Sequence, residues 1–247
     1  MALTRTSAWR LARPFGAYAR LVALTAGAAL CPTLTLAQTL AQSRAAVKPA
    51  DPGLVAGTPS PAATTPVEGF RQARFGMSEP EVRQAIQRDF PAAARRMSRT
   101  THPREKTTVL AVTAEELLPD TGPAQLSYIL GYASKRLVQV NIVWSSDGRS
   151  AARDEAIVAA ANALRDHFKT QYPASSNAVA FNQQAGENAF LVFRAAQADG
   201  RMVLLLLSGG QAAGRAGRTA TPPLTLQLSY IRDHRNPDIF RIERGRF

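Results

Sequence analysis

The three histidines, His102, His167 and His234, are the side chains of this 247-residue sequence best suited to acid-base or metal chemistry near neutral pH. Their spacing assigns them to neither. No two stand at the close separation that puts both rings on one metal ion. Asp166-His167 falls beside the apolar stripe of a candidate helix, where a solvated rim position is expected. No Gly-x-Ser-x-Gly stretch presents a serine on a strand-to-helix elbow. Gly209-Gly210, Gly214 and Gly217 make a glycine-rich stretch, but it lacks a Gly-Lys-Ser/Thr ending and lies between two strand patterns, not ahead of a helix N-terminus that would hold phosphate. A mobile hairpin loop is expected there. Glu115-Glu116 are strand neighbours that point to opposite faces, and Asp154-Glu155 supply charge at a helix start. No catalytic residue, metal or cofactor is assigned.

Basic clusters are the chemical feature that rises above this background. Arg95, Arg96, Arg99, Arg104 and Lys106, with His102 among them and Glu105 opposing, crowd one segment. The tail carries Arg232, Arg235, Arg241, Arg244 and Arg246 against Asp233, Asp238 and Glu243. A guanidinium fork suits bidentate pairing with carboxylate or phosphate, so the first cluster is the candidate site for an anionic partner. A solvated loop is the competing reading. The terminal Phe247 is compatible with an outer-membrane strand only if its neighbours are apolar, and Gly245 and Glu243 are not.

The N-terminus bounds where these groups act. Arg5, Arg10, Arg13 and Arg20 precede an apolar run from Leu21 to Ala37, with no acidic residue before it. That is the n-region and h-region of a secretory signal peptide, residues 1–37, with an alternative cut after Ala41. The run is shorter than the roughly 20 apolar residues of a spanning helix, and Pro32 interrupts it, so no transmembrane span is expected after cleavage. No Arg-Arg pair precedes the run, which favours the general secretory route over the twin-arginine one. Cys31 follows Leu30, where a lipid-attachment site resembling the bacterial pattern has a small residue. Cleavage removes this sole cysteine, and with it disulfides, thiolate metal sites and a cysteine nucleophile. It also removes four arginines, lowering the net charge from +12 to about +8. The expected location is periplasmic or secreted. A basic exported chain meets an envelope protein or an anionic envelope surface, and its compartment sets nucleic acid aside.

Downstream, residues 38–67 are rich in Pro, Ala, Thr and Ser and bury too little to order themselves, so a disordered linker is expected. Residues 68–247 suit one globular domain, with possible halves at 68–148 and 149–247. In Phe75-Gly76-Met77-Ser78-Glu79-Pro80-Glu81-Val82, Ser78 and Glu81 form a capping box, and Val82, Ile86 and Phe90 share a helix face that Pro91 closes. Strands are predicted over 107–113, 125–132 and 136–144. In the last, Val138, Val140, Ile142 and Trp144 oppose Gln139 and Asn141. A helix is predicted over 151–171, with Ile157, Ala161, Leu164 and Phe168 as its stripe. Strands follow over 178–181, 189–196, 201–208 and 224–231, with an Asp199-Gly200 hairpin turn. Gln125-Leu126-Ser127-Tyr128-Ile129 recurs letter for letter at 227–231, and Arg136-Leu137-Val138 is echoed by Arg201-Met202-Val203. Repetition of a helix-plus-sheet unit and convergence of similar strands account for this equally well.

The order Phe70, Phe75-Gly76-Met77-Ser78, Val82, then Leu126 to Tyr132, Leu137 to Val143, a long helix ending in Tyr172, and Leu224 to Ile231 resembles a loose group of exported bacterial proteins of unknown function. Its opening is similar to outer-membrane assembly lipoproteins of the BamE type, from which the missing lipid-attachment site departs. The repeated layout is similar to beta-lactamase-inhibitory-protein modules. Both resemblances imply protein binding without catalysis. The expected fold class is α+β, helices packed on antiparallel sheet. The expected function is a non-enzymatic binding or envelope-interaction module, for which a sheet face bearing exposed Tyr, Trp or Arg is predicted. The alternative is a small periplasmic hydrolase, which requires a pocket joining a histidine to a nucleophile. N-terminal sequencing of the exported protein should begin at Gln38 or Gln42, and an intact Met1 would instead make the proline-rich leader a membrane tether.

Overall fold

A computed structural model describes residues 65–210, 223–242 and 245. The expected signal peptide, both cut sites, most of the linker and the glycine stretch beyond Gly210 lie outside the described residues. The described chain runs β1 (Gly69–Phe70), β2 (Ala73–Arg74), α1 (Glu79–Asp89), α2 (Pro91–Ala94), β3 (Ser98–Thr101), β4 (Thr108–Ala114), β5 (Ala124–Leu130) and β6 (Leu137–Ser145). It continues with α3 (Ala151–Gln171), β7 (Ala178–Gly186), β8 (Ala189–Ala196), β9 (Met202–Ser208) and β10 (Thr225–Ile231). The fold is α+β.

Local chemistry explains the helix boundaries. Ser78 caps α1, and the Glu81 carboxylate reaches back to accept from the Ser78 N–H at 2.7 Å and from its hydroxyl at 2.6 Å. These bonds hold the Glu81 carboxyl below its usual range. Pro91, expected only to end this helix, also opens α2, because proline fits the first turn, where its missing N–H is not needed. Before α3, the Asp147 carboxylate accepts from the N–H groups of Arg149 and Ser150 at 3.0 and 3.1 Å, and the Ser150 hydroxyl accepts from Arg153 N–H at 3.3 Å.

Eight strands form one antiparallel sheet in the order β3-β4-β5-β6-β10-β9-β8-β7. Helix and four-stranded meander thus occur twice along the chain, and the last strand of each meander meets the other at the centre. The strand alternation divides the sheet into two faces. On one lie Leu110, Leu126, Tyr128, Ile142, Trp144, Leu228, Leu205 and Phe193, aligned by cross-strand pairs such as Leu126↔Ile142 and Leu228↔Ile142. The buried residues of the helices, Val82, Ala85 and Ile86 of α1, Ala93 of α2, and Ile157, Ala161 and Phe168 of α3, join this same core. Phe168 stacks obliquely on Phe193 at 5.7 Å between centroids and meets Tyr230 edge-on at 6.5 Å.

The structure departs from the sequence expectation at several places. Val67, assigned to the linker, is buried in the core, and its N–H donates to Gln197 Oε1 at 3.0 Å while Gln197 Nε2 donates to the Thr65 carbonyl. Leu137, not Val138, is the buried residue at the start of β6, because the ladder shifts register beside Ile129 and Leu130. β3 was not anticipated, since Ser-Arg-Thr-Thr is exposed throughout and shows no apolar alternation. β7 runs to Gly186, well past the expected Phe181.

The two copies of Gln-Leu-Ser-Tyr-Ile lie on β5 and β10, on either side of β6 and at the same height. Gln125 and Gln227 both pair with Val143, Ser127 and Ser229 with Asn141, and Ile129 and Ile231 with Gln139. They occupy the third strand of the first meander and the fourth of the second. The two copies therefore share a neighbour, β6, but stand at different places in the two meanders.

Replacing Phe193 with Ala should cost about 3–5 kcal/mol in chemical denaturation, because it opens a cavity where α3 meets the sheet. Replacing Leu204 with Ala, on the face without helices, should cost about 1 kcal/mol or less.

Candidate functional site

The histidines occupy three separate places: His102 in the turn between β3 and β4, His167 on α3, and His234 in the segment after β10. His102 Nδ1 accepts from the Glu105 N–H at 3.1 Å, and His234 Nδ1 lies 2.6 Å from the Gly200 carbonyl. None of the three hydrogen-bonds a serine among the described residues. No group of three or more His, Cys, Asp or Glu that could hold a metal ion occurs among them.

The candidate basic cluster is exposed but divided. Arg99, on the core side of β3, donates to Glu79 of α1 at 3.0 Å, and Glu79 also takes Arg83 at 2.8 Å. Arg96 lies 3.5 Å from Glu115. Both sit on the rim of a shallow cavity of about 240 Å³ that is also lined by Ser98, Ala111, Thr113 and Gln125. Because Arg96 meets a carboxylate there, the cavity presents no unbalanced positive charge. Arg95 stands at the end of α2, while Arg104 and Lys106 lie in the β3–β4 turn at the far end of β3. These three have no ion-pair partner among the described residues. The five residues therefore do not form one site.

The larger feature is the second face of the sheet, which joins no part of the core. Its central row is polar: Ser127, Asn141 and Ser229 stand side by side on β5, β6 and β10. Gln139 Nε2 donates to Asn141 Oδ1 at 2.8 Å, and Gln227 Nε2 donates to the Ser229 hydroxyl at 3.0 Å. Ser145 and Thr225 share a hydroxyl bond at 3.1 Å. Around this row lie Ile129, Val143, Ile231, Leu204 and Leu206, all half-buried, with Arg194 exposed toward the β7 side. Leu191 and Met202 are buried yet stand outside the helix-side core. Ser127, Asn141 and Ser229 are themselves buried, so the half-buried aliphatic groups and the amides of Gln139 and Gln227 form the accessible part of this face, which carries no group that changes charge near neutral pH.

The sequence expectation of Tyr and Trp on this face is corrected. Tyr128, Trp144 and Tyr230 point to the helix side, where Tyr128 and Trp144 are fully buried. Burial is the main cause that pushes the Tyr128 and Tyr230 hydroxyls above their ordinary range. Of the three expected residue types, arginine is present, as Arg194.

A third feature is the segment that follows β10 and ties together the turns at one end of the sheet. Arg232 N–H donates to the Val138 carbonyl, His234 N–H to Gly200, and Phe240 N–H to the Glu105 carbonyl at 2.8 Å. At its middle, Asp238 accepts from the Ala133 N–H at 2.8 Å and the Ser134 N–H at 3.0 Å, and its carbonyl accepts from Tyr132 N–H at 2.9 Å. Gly131 makes room for this carboxylate: a Cβ there would come within 2.0 Å of Asp238 Oδ2. Partial burial raises the Asp238 carboxyl, but the hydrogen bonds from Ser134 and Ala133 and the Lys135 charge outweigh it and hold it below its ordinary range.

Comparison of the chain with models of known families, with curated proteins and with solved structures finds no match. The described residues define an α+β protein whose eight-stranded sheet is covered by helices on one face, with none of the described helices on the other. No helix of the described residues is long and apolar enough to cross a membrane.

Asp238→Asn should lower stability at neutral pH by about 1 kcal/mol through the weakened hydrogen bonds. Since the folded state lowers this pKa, the contribution is present in full above the ordinary carboxylate value of about 4 and is lost as pH falls through the lower folded value. Thermal midpoints of the two proteins should therefore differ at pH 7 and converge toward pH 3.

Proposed function

We propose that this chain is an exported envelope module that binds another protein through the helix-free face of its sheet and performs no catalysis. The single observation that carries the reading is the segregation of the sheet: every buried helix residue joins one face, while Val143, Leu204 and Leu206 on the other remain half-buried around the Ser127-Asn141-Ser229 row. Apolar groups left in a contiguous patch mark an interaction surface. Aliphatic and amide groups together suit a protein partner, whose own surface offers apolar side chains and backbone donors and acceptors. The charged N-terminal segment and the apolar run from Leu21 support export, and with it a periplasmic or secreted location. The resemblance to protein-binding modules of the bacterial envelope agrees with this use of the sheet.

The test is positional. Photo-crosslinking side chains placed at Val143 and Leu206 on the open face, and at Val158 and Thr170 on the exposed side of α3, are compared in cells producing the full chain. A discrete protein adduct is expected from the first two positions and not from the second two. Adducts of equal yield from both surfaces, adducts from α3 alone, or none from either would overturn the proposal.

A further inference from the structure

The end of the sheet that gathers the β3–β4 turn, the β5–β6 turn and the segment after β10 carries exposed apolar groups that the open face does not include. Phe240 and Tyr132 are each 37% exposed and Ile242 is 68% exposed. They are not scattered. Tyr132 and Phe240 pack edge to face at 5.3 Å, and Ile242 follows two residues on. Cations stand near them: Lys135 Nζ sits 4.9 Å over the Tyr132 ring, Arg241 separates Phe240 from Ile242 in the chain, and Arg104 and Lys106 flank Glu105, whose carbonyl holds the Phe240 N–H. The carboxylates of this region among the described residues are Glu105, Asp233 and Asp238. Asp238 is turned onto the Ala133 and Ser134 N–H groups and Asp233 onto the Arg235 and Asn236 N–H groups, while Glu105 stands between Arg104 and Lys106.

From this placement we propose that the turn end of the sheet docks on an anionic lipid bilayer, with Phe240, Ile242 and Tyr132 entering the headgroup region and Arg104, Lys106, Lys135 and Arg241 meeting the phosphates. Charge complementarity and amphipathic aromatics select this occupant. Tyrosine favours the membrane–water interface, and each basic side chain near an anionic surface adds to binding, an effect that fades within a Debye length. The Asp238 latch acts here as a positioning group, since it fixes the turn that presents Tyr132 against the segment that presents Phe240. This surface is distinct from the open face, so either can fail without the other.

Ile242→Trp places a probe at a position that contributes no buried packing. With Trp9→Phe in the full chain, Trp144 remains as a buried background. On vesicles of phosphatidylglycerol and phosphatidylcholine, the probe's emission should shift to the blue and be quenched by brominated phosphatidylglycerol. Both effects should vanish on pure phosphatidylcholine and weaken steeply between 0.05 and 0.5 M salt, concentrations over which the Debye length falls to about a third. Arg104→Gln and Lys106→Gln should each weaken the tip response roughly fivefold, and Phe240→Ser should weaken it further. A probe at Val158 on α3 should not be quenched. Equal quenching at 158 and 242, no quenching at 242, or salt-insensitive binding would overturn the proposal. So would the same emission change with soluble glycerol phosphate, which would indicate a small-anion site.

Discussion

The pairing of β6 with β10 is the interaction on which the rest depends. Each meander taken alone is a four-stranded sheet with two edges, and this one antiparallel ladder, from Ser145↔Thr225 to Gln139↔Ile231, converts them into a single sheet. It also brings Val140, Ile142 and Trp144 of the first meander beside Tyr230, Leu228 and Leu226 of the second, so that one apolar layer crosses the seam. The open face is a product of the same ladder. Asn141 lies between Ser127 and Ser229 only because β5 and β10 flank β6 in equal register.

Much of this was legible in the sequence where residues carried their own punctuation. Ser78 with Glu81, the apolar stripe of Ile157, Ala161 and Phe168, and the Asp199-Gly200 turn locate their elements because each signal is local. β3 was illegible for the converse reason: Ser98 to Thr101 is a strand by virtue of its pairing with β4 and buries nothing. Val67 was missed because its burial depends on a hydrogen bond to Gln197, 130 residues away. Periodicity assigns Tyr128 to one face of β5 and Trp144 to one face of β6, but which face meets helices is decided by the packing of α1 and α3.

The candidate surfaces were partly legible. The arginines and Lys106 are as exposed as their composition implies, yet Glu79 and Glu115 draw Arg99 and Arg96 into ion pairs from elements that are remote in sequence or separated by a strand. Proximity in sequence made Arg95 to Lys106 look like one cluster, and the β3 strand separates it into two ends. The open face could not be read as a unit, since its central row is drawn from three strands and its rim from those three and two more.

The central ladder also has a consequence for how the chain acquires its structure. Ser145 and Thr225, joined through their hydroxyls, stand 80 residues apart in sequence. A growing chain that has released β6 must expose that strand as an open edge until β10 follows, with α3 and three further strands in between. Closure of so long a loop is a late and slow step. Until that step the β6 edge is the part of the sheet most open to mispairing with another strand.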